Sequence, residues 1–213
     1  MGDKTIVIDS GPDFRYQMLR ANVKDLDAIL YTHEHKDHVA GLDDIRPFNY
    51  LLKKNIDIYA TTRVQDALKR EFSYIFADTH YPGLPQIETH TITDQPFEIG
   101  NTTVTPLNIM HYKLPILGFR VRDFTYITDA KTISEETIEK VRGTKILVIN
   151  ALQHEEHISH FTLKEAIDFA KKIGAEMTYL THISHNLGLH EEVENELPEN
   201  IKLAYDGLSL FCE

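Results

Sequence analysis

An α/β fold in which sheet is covered by helices is what this sequence predicts, on three observations. Short apolar runs rich in β-branched and aromatic residues recur along the chain, as strands do. Between them lie segments whose apolar residues fall at helical spacing. The 213 residues, 42% of them hydrophobic, suffice for a full core without covalent staples, and the length fits one domain, 1–213. Strands and helices mixed along one domain pack as layers.

The first strand is expected over 5–8, the second over 28–32 and the third over 56–59. A helical face follows at Val64, Ala67, Leu68, Glu71 and Phe72. From 77 to 100 the chain is polar and interrupted by Pro82, Pro85 and Pro96, which reads as a long loop and a candidate border of a substrate pocket. Strands resume over 103–109 and 124–128, and a helix runs from Ser134 to Gly143. After a strand over 146–149, Ala166, Ile167, Ala170 and Ile173 line one face of a helix; Thr162 and Glu165 form a capping box at its start and Gly174 stops it. Strands over 177–181 and 201–205 close the order, and no internal repeat or low-complexity segment appears.

Composition removes several function classes. Against 33 Asp and Glu stand 22 Lys and Arg, a net charge of −11, so no long basic surface is offered and nucleic acid is not expected as a partner. One cysteine, Cys212, allows no internal disulfide, which fits a reducing cytoplasm. No apolar run approaches the roughly 18 residues of a membrane span, and Met1-Gly2-Asp3-Lys4 lacks the features of a signal peptide. The informative figure is the twelve histidines.

The densest signal is Thr32-His33-Glu34-His35-Lys36-Asp37-His38, which follows the apolar Ile29-Leu30-Tyr31 and precedes Gly41. Four ligand-type residues fall within six positions. His33 and His35, two apart, can face one ion, while Asp37 and His38 can splay toward a second, with Glu34 and Lys36 turned away. Imidazole and carboxylate donors favour zinc, manganese or iron over calcium. The same layout, a hydrophobic strand ending in one ligand-type residue, recurs at Asp9, His111, Asp129 and His182. Ligands at the carboxyl ends of neighbouring strands converge on one crevice.

His33-Glu34-His35-Lys36-Asp37-His38, followed in order by His111, Asp129 and His182, resembles the pattern of the metallo-β-lactamase superfamily, and the resemblance covers nearly the whole chain. It implies an αββα sandwich with a dinuclear metal site, and a hydrolase whose nucleophile is a hydroxide shared by two divalent ions, zinc or manganese. It further implies that His33, His35 and His111 bind the first ion, Asp37, His38 and His182 the second, and that Asp129 bridges both. Asp9 matches the family's aspartate behind the histidine loop, which supports the ligands. Aspartate at 129, where the lactamases themselves generally carry cysteine, resembles the phosphodiesterase members. Pro106-Leu107-Asn108, Thr128-Asp129-Ala130, Thr181-His182-Ile183-Ser184-His185 and Tyr205-Asp206-Gly207 are similar to a branch acting on a phosphoribosyl cyclic phosphate. In that branch a histidine before a helix lies by the substrate phosphate, and Ser159-His160-Phe161-Thr162 stands in its place. Two departures accompany the resemblance: strands that family members carry before Ile8-Asp9 are not expected in this chain, which reads as a truncation, and the branch's cysteine cluster is absent, so His185 is not assigned to metal.

The expected activity is therefore hydrolysis of a small or cyclic phosphodiester, with Asp37, Asp129 and His160 as catalytic candidates and His160 and Arg46 as substrate contacts. Arg46 reads equally as a solvated arginine. A nuclease like the tRNA 3′-processing enzyme, a thioester or lactone hydrolase, and a non-enzymatic truncated metal-binding module are the alternatives. Tyr112 and Lys113 follow a ligand and can line the pocket. His80, His90, His154, His157 and His190 read as surface positions, Cys212 as a bystander thiol, and a homodimer is left open.

Overall fold

The computed structural model describes residues 4–77, 81 and 83–212. The chain folds as two compact units, Met1–Thr102 and Thr103–Glu213. Each has its own hydrophobic core.

In the first unit β1 (Ile6–Ile8), β2 (Ala28–Leu30), β3 (Ile56–Ala60) and β4 (Ile87–Thr91) form a wholly parallel sheet in the order β1-β2-β3-β4. Parallel strands need crossovers, and these supply α1 (Phe14–Arg20), α2 (Lys36–Val39), α3 (Arg46–Leu52) and α4 (Thr62–Glu71). In β3 alternation decides the faces: Ile56, Ile58 and Ala60 are buried with Val64, Leu68 and Phe72 of the α4 region, while Asp57 and Tyr59 lie on the other face. The stretch expected as one loop from 77 to 100 instead contains β4 and, at Phe97–Ile99, β5. β4 is an edge strand of mostly polar residues, Ile-Glu-Thr-His-Thr, so no apolar run marks it; its register against all of β3 holds it in place. Pro85 and Pro96 stand just before these two strands and punctuate them. His80 and Pro82 lie outside the described residues.

The second unit is built on β6 (Thr102–His111), β7 (Leu114–Val121), β8 (Phe124–Ile127), β9 (Thr132–Ile133), β10 (Ile146–Asn150), β11 (Met177–Thr181) and β12 (Ile201–Leu203). Its sheet runs β12-β11-β10-β8-β7-β6, with β9 on β6. β8, β10, β11 and β12 are parallel, joined through α5 (Glu135–Val141), α6 (Leu163–Ile173) and α7 (His190–Glu196); β6 and β7 attach as antiparallel hairpin strands. Two antiparallel steps return β6 to the direction of β8, so β6, β8, β10 and β11 all end at one edge. The capping box of α6 forms as read: Thr162 Oγ1 accepts from the Glu165 N–H while the Glu165 carboxylate accepts from the Thr162 N–H, and Gly174 closes the helix in a left-handed conformation.

Candidate metal centre

In the first unit the donors gather where β1 and β2 end side by side. The Asp9 carboxylate accepts from the Thr32 N–H and hydroxyl, both at 2.8 Å, and from His38 Nδ1 at 2.7 Å. The Thr32 hydroxyl proton is thus committed to Asp9, so its oxygen accepts from His33 Nδ1 at 2.9 Å. His33 and His38 both carry their proton on Nδ1, which turns each Nε2 lone pair away from Asp9 as a ligand. Burial pushes the Asp9 carboxyl up from its ordinary range, against the pull of His38 and Thr32. His33 Nε2 and His35 Nδ1 lie 3.0 Å apart, and the His33 and His38 rings are 4.1 Å apart between centroids. Two imidazole nitrogens bonded to one ion at about 2.0–2.1 Å sit roughly 3 Å from one another, so the pair is spaced for a shared cation.

The intervening side chains leave the donors, as the alternation predicts. Glu34 accepts from Arg63 at 2.7 Å and Lys36 pairs with Glu71, so the ends of α4 grip the ligand loop from outside. Asp37 is exposed in the first turn of α2, its carboxylate 3.3 Å from His38 Nε2. Gly41 is required by close approach: a Cβ there would meet the Gly11 carbonyl oxygen at 2.3 Å. The backbone after His38 thereby packs against the one after Asp9.

In the second unit Asp129 is the hub. It is buried, with Oδ2 3.3 Å from His160 Nε2, Oδ1 3.4 Å from His182 Nε2, and a 2.5 Å bond to Oδ1 from the Thr128 hydroxyl. The His160 and His182 rings stack at 4.8 Å, and His111 meets His160 edge-on at 4.6 Å. His111 donates from Nδ1 to the carbonyls of Asp129 and Ser159, at 3.0 and 2.9 Å, which again directs Nε2 to the donor cluster. His111, Asp129 and His160 place a donor atom each within 4.8 Å of one another. Asp9, Asp129 and His182 share a left-handed backbone, φ 60°, 56° and 51°, as does Tyr112 beside His111 at 55°. Such conformations cluster where a side chain must leave a strand end at a set angle.

Sequence reasoning missed two residues here. Asn150, buried at the end of β10, accepts the Ala130 N–H at 2.7 Å and donates to the Ala130 carbonyl at 3.1 Å, pinning the turn that carries Asp129. The signal was present: Asn150 is another polar residue ending an apolar strand. His157, read as a surface residue, is half-buried with Nδ1 3.1 Å from His160 Nδ1. Arg46 opens α3 but is engaged elsewhere, with Asp43 at 3.0 Å and the Gly83 carbonyl at 3.3 Å. His154 donates to the Leu187 carbonyl, His185 is exposed, and Tyr112 is half-exposed with Lys113 over its ring. His90 is paired with Asp57 at 3.2 Å. Neutral imidazoles of fixed tautomer, with carboxylates beside them, suit a borderline divalent ion such as zinc or manganese.

The β-lactamase superfamily domain matches residues 4–183, a span that runs through both units. The chain belongs to the β-lactamase superfamily. Its fold is accordingly the metallo-β-lactamase fold that the sequence resembled. A crystal structure described as a new diphosphatase from the PhnP family is 38% identical to the chain, with a TM-score of 0.90 over 98% of the chain and 79% of that protein. An octanoyltransferase of Porphyromonas gingivalis is 42% identical over 99% of the chain, but the chain spans only 43% of its length. A ribonuclease Z of Mycobacterium sp. (strain KMS) is 24% identical over 85% of the chain and 74% of its own length.

Proposed function

We propose that this superfamily hydrolase acts on small phosphodiesters, cyclic ones included, with two divalent ions held by the seven ligands as the resemblance distributes them. The observation that carries the reading is the proton fixed on Nδ1 of His33, His38 and His111, which commits each Nε2 to coordination. When bound, the two ions supply Lewis acidity at the phosphoryl oxygens and lower the pKa of coordinated water toward about 7. Asp129, its carboxylate fixed by Thr128 and set between His160 and His182, would orient the attacking water. His160, with Nε2 at that carboxylate, is placed to protonate the leaving oxygen or hold the phosphate, a role typically contributing about 100- to 10,000-fold. Arg46, shared between Asp43 and Gly83, is given no step.

The diphosphatase relative supports chemistry at phosphorus, since a diphosphate and a phosphodiester both lose an oxygen leaving group from a phosphoryl centre. The octanoyltransferase name belongs to a protein more than twice the length of the region matched here, and it assigns no acyl chemistry to this region. The ribonuclease Z likeness favours a second reading, cleavage of RNA, which the net charge of −11 opposes.

Protein stripped with chelator and reloaded with zinc or manganese is assayed against bis(p-nitrophenyl) phosphate, a cyclic phosphate, a diphosphate ester, structured RNA, a thioester and nitrocefin. The expected result is close to two equivalents of metal and turnover of the small phosphate esters only with metal present. Turnover confined to RNA, or to the thioester or nitrocefin, overturns the proposal.

A further inference from the structure

Outside the candidate metal centre, the first unit holds another group of ligand-type side chains, on the face of its sheet opposite α4. Asp57 of β3 and Glu88 of β4 are register partners, and Tyr59 and His90 are the next pair on that face. Asp57, Glu88 and His90 each place a donor atom within 4.8 Å of the other two. Asp57 is level with Ala28 at the start of β2, whereas His33 and His35 follow that strand's end.

Two observations ask for a cation here. Like charges at partner positions of neighbouring strands oppose the pairing, and no lysine or arginine among the described residues pairs with either Asp57 or Glu88. β4 depends on that pairing, since its residues are mostly polar. Independently, His90 Nε2 is closed to solvent and makes no hydrogen bond: it lies 3.2 Å from Asp57 Oδ1 without the alignment of an N–H···O bond. A buried polar atom in that state is costly, and a bound ion satisfies it. An imidazole nitrogen and a carboxylate oxygen at about 2.0–2.2 Å from a shared ion sit roughly 3 Å apart, the spacing found here. The ring plane is set by stacking, at 4.5 Å on Tyr59, which stacks in turn on Phe97 of β5 at 5.1 Å. Burial, followed by the charges of Asp57 and Glu88, holds the Tyr59 hydroxyl above its ordinary pKa, a sign of the same concentration of negative charge.

We propose that Asp57, Glu88 and His90 bind a divalent ion that clamps β4 onto β3. One imidazole and two carboxylates form a borderline donor set, which suits zinc or manganese better than calcium. Asp57 and His90 are half-buried and Glu88 is exposed, so water completes the shell and the ion exchanges with solvent. It therefore leaves on desalting and does not enter the metal retained by the candidate centre. No step of the proposed hydrolysis uses it.

The test starts from protein loaded with zinc and desalted, so that tighter donors are filled before the titration begins. Zinc is then added while the ring nitrogens of His90 are followed by long-range ¹H–¹⁵N correlation, with His90→Asn supplying the assignment. His90 Nε2 should shift saturably in the wild type. Asp57→Asn and Glu88→Gln keep the side-chain shape and remove the like-charge opposition, and each should weaken the apparent affinity by about tenfold or more. Because the ion joins two strands, zinc at about ten times its half-saturating concentration should slow amide exchange in β4 by about tenfold. At the same concentration Asp57→Asn should lose most of that slowing. A His90 signal neither shifted by excess zinc nor broadened by manganese overturns the inference. So do identical titrations in wild type, Asp57→Asn and Glu88→Gln, or β4 exchange that zinc leaves unchanged while His90 shifts. None of these readouts uses a substrate, so failure of the proposed hydrolysis leaves them intact, and their failure leaves the hydrolysis standing.

Discussion

Asp9 adopts a left-handed backbone conformation, φ 60°, directly after an extended strand, and so places one carboxylate beneath Thr32 and His38. Asparagine tolerates the same backbone, which makes Asp9→Asn a clean test of the carboxylate. Its amide offers one acceptor oxygen where three donors now converge, and the NH₂ group would oppose either the Thr32 N–H at the Oδ1 position or both the Thr32 hydroxyl and His38 Nδ1–H at the Oδ2 position. Metal titration should therefore show affinity reduced about 10- to 100-fold with the fold intact; unchanged affinity would remove Asp9 from the support of the ligands. The ligand-type residues could be read in the sequence because their chemistry is uncommon at strand ends. His157 could not, since its place beside His160 depends on what lies across a loop; Asn150 carried the same strand-end signal but no ligand chemistry, and it acts only on the backbone groups of a neighbouring turn.

At the scale of elements, the strand ends of the first unit are fastened at the side opposite the donors. Asp27, just before β2, accepts from the Thr5 N–H at 2.9 Å and from Lys4 and Lys54 at 3.0 and 2.9 Å, tying the entries of β1, β2 and β3. Burial alone would raise its pKa, but Lys54, the Thr5 N–H and Lys4 outweigh that and hold it at about 2, below the ordinary 3.8. A depressed carboxylate stabilises the fold above its unfolded pKa and ceases to do so as pH falls through the folded one. Asp27→Asn should thus be less stable than wild type by roughly 1 to 2 kcal/mol above pH 4, discounted for the part-exposed lysines, and the gap should close toward pH 2. Denaturant titrations at pH 6, 4 and 2.5 measure it; a gap that persists unchanged at the lowest pH contradicts the assignment. Elements with a strong apolar signature, such as β3, β8, β10, β11 and α6, were visible from sequence within a residue or two. β7 also went unread although it buries Ile116, Leu117, Phe119 and Val121. The other elements that were missed bury little: α1 contributes only Phe14 and α7 only Val193 to the buried set, while β4 is a polar edge strand held by its neighbour's register. Tertiary pairing, rather than local pattern, creates them.

On the scale of the whole molecule, the charge distribution separates the two phosphate chemistries that the relatives suggest. The net charge is −11, and many cations are already in ion pairs: Lys54 with Asp25 and Asp27, Arg63 with Glu34, Lys131 with Glu165, Lys145 with Asp123 and Lys172 with Glu135. An enzyme that grips RNA by neutralising many phosphates releases as many counterions, and at 6–10 contacts its affinity falls by about 10³- to 10⁵-fold between 50 and 200 mM salt. A small diester carries one negative charge and engages the metal donors rather than a long basic track. Raising KCl over that range should therefore change kcat/KM on the small substrate by less than about tenfold, the response expected of one or two neutralised charges. Any binding of structured RNA at 50 mM salt should be weak, and competition by excess RNA should leave diester turnover unaffected at 200 mM. Steep salt dependence on the diester itself, or potent inhibition by RNA that persists at 200 mM, would show a polyanion track that the charge distribution does not provide and would move the assignment to the nuclease.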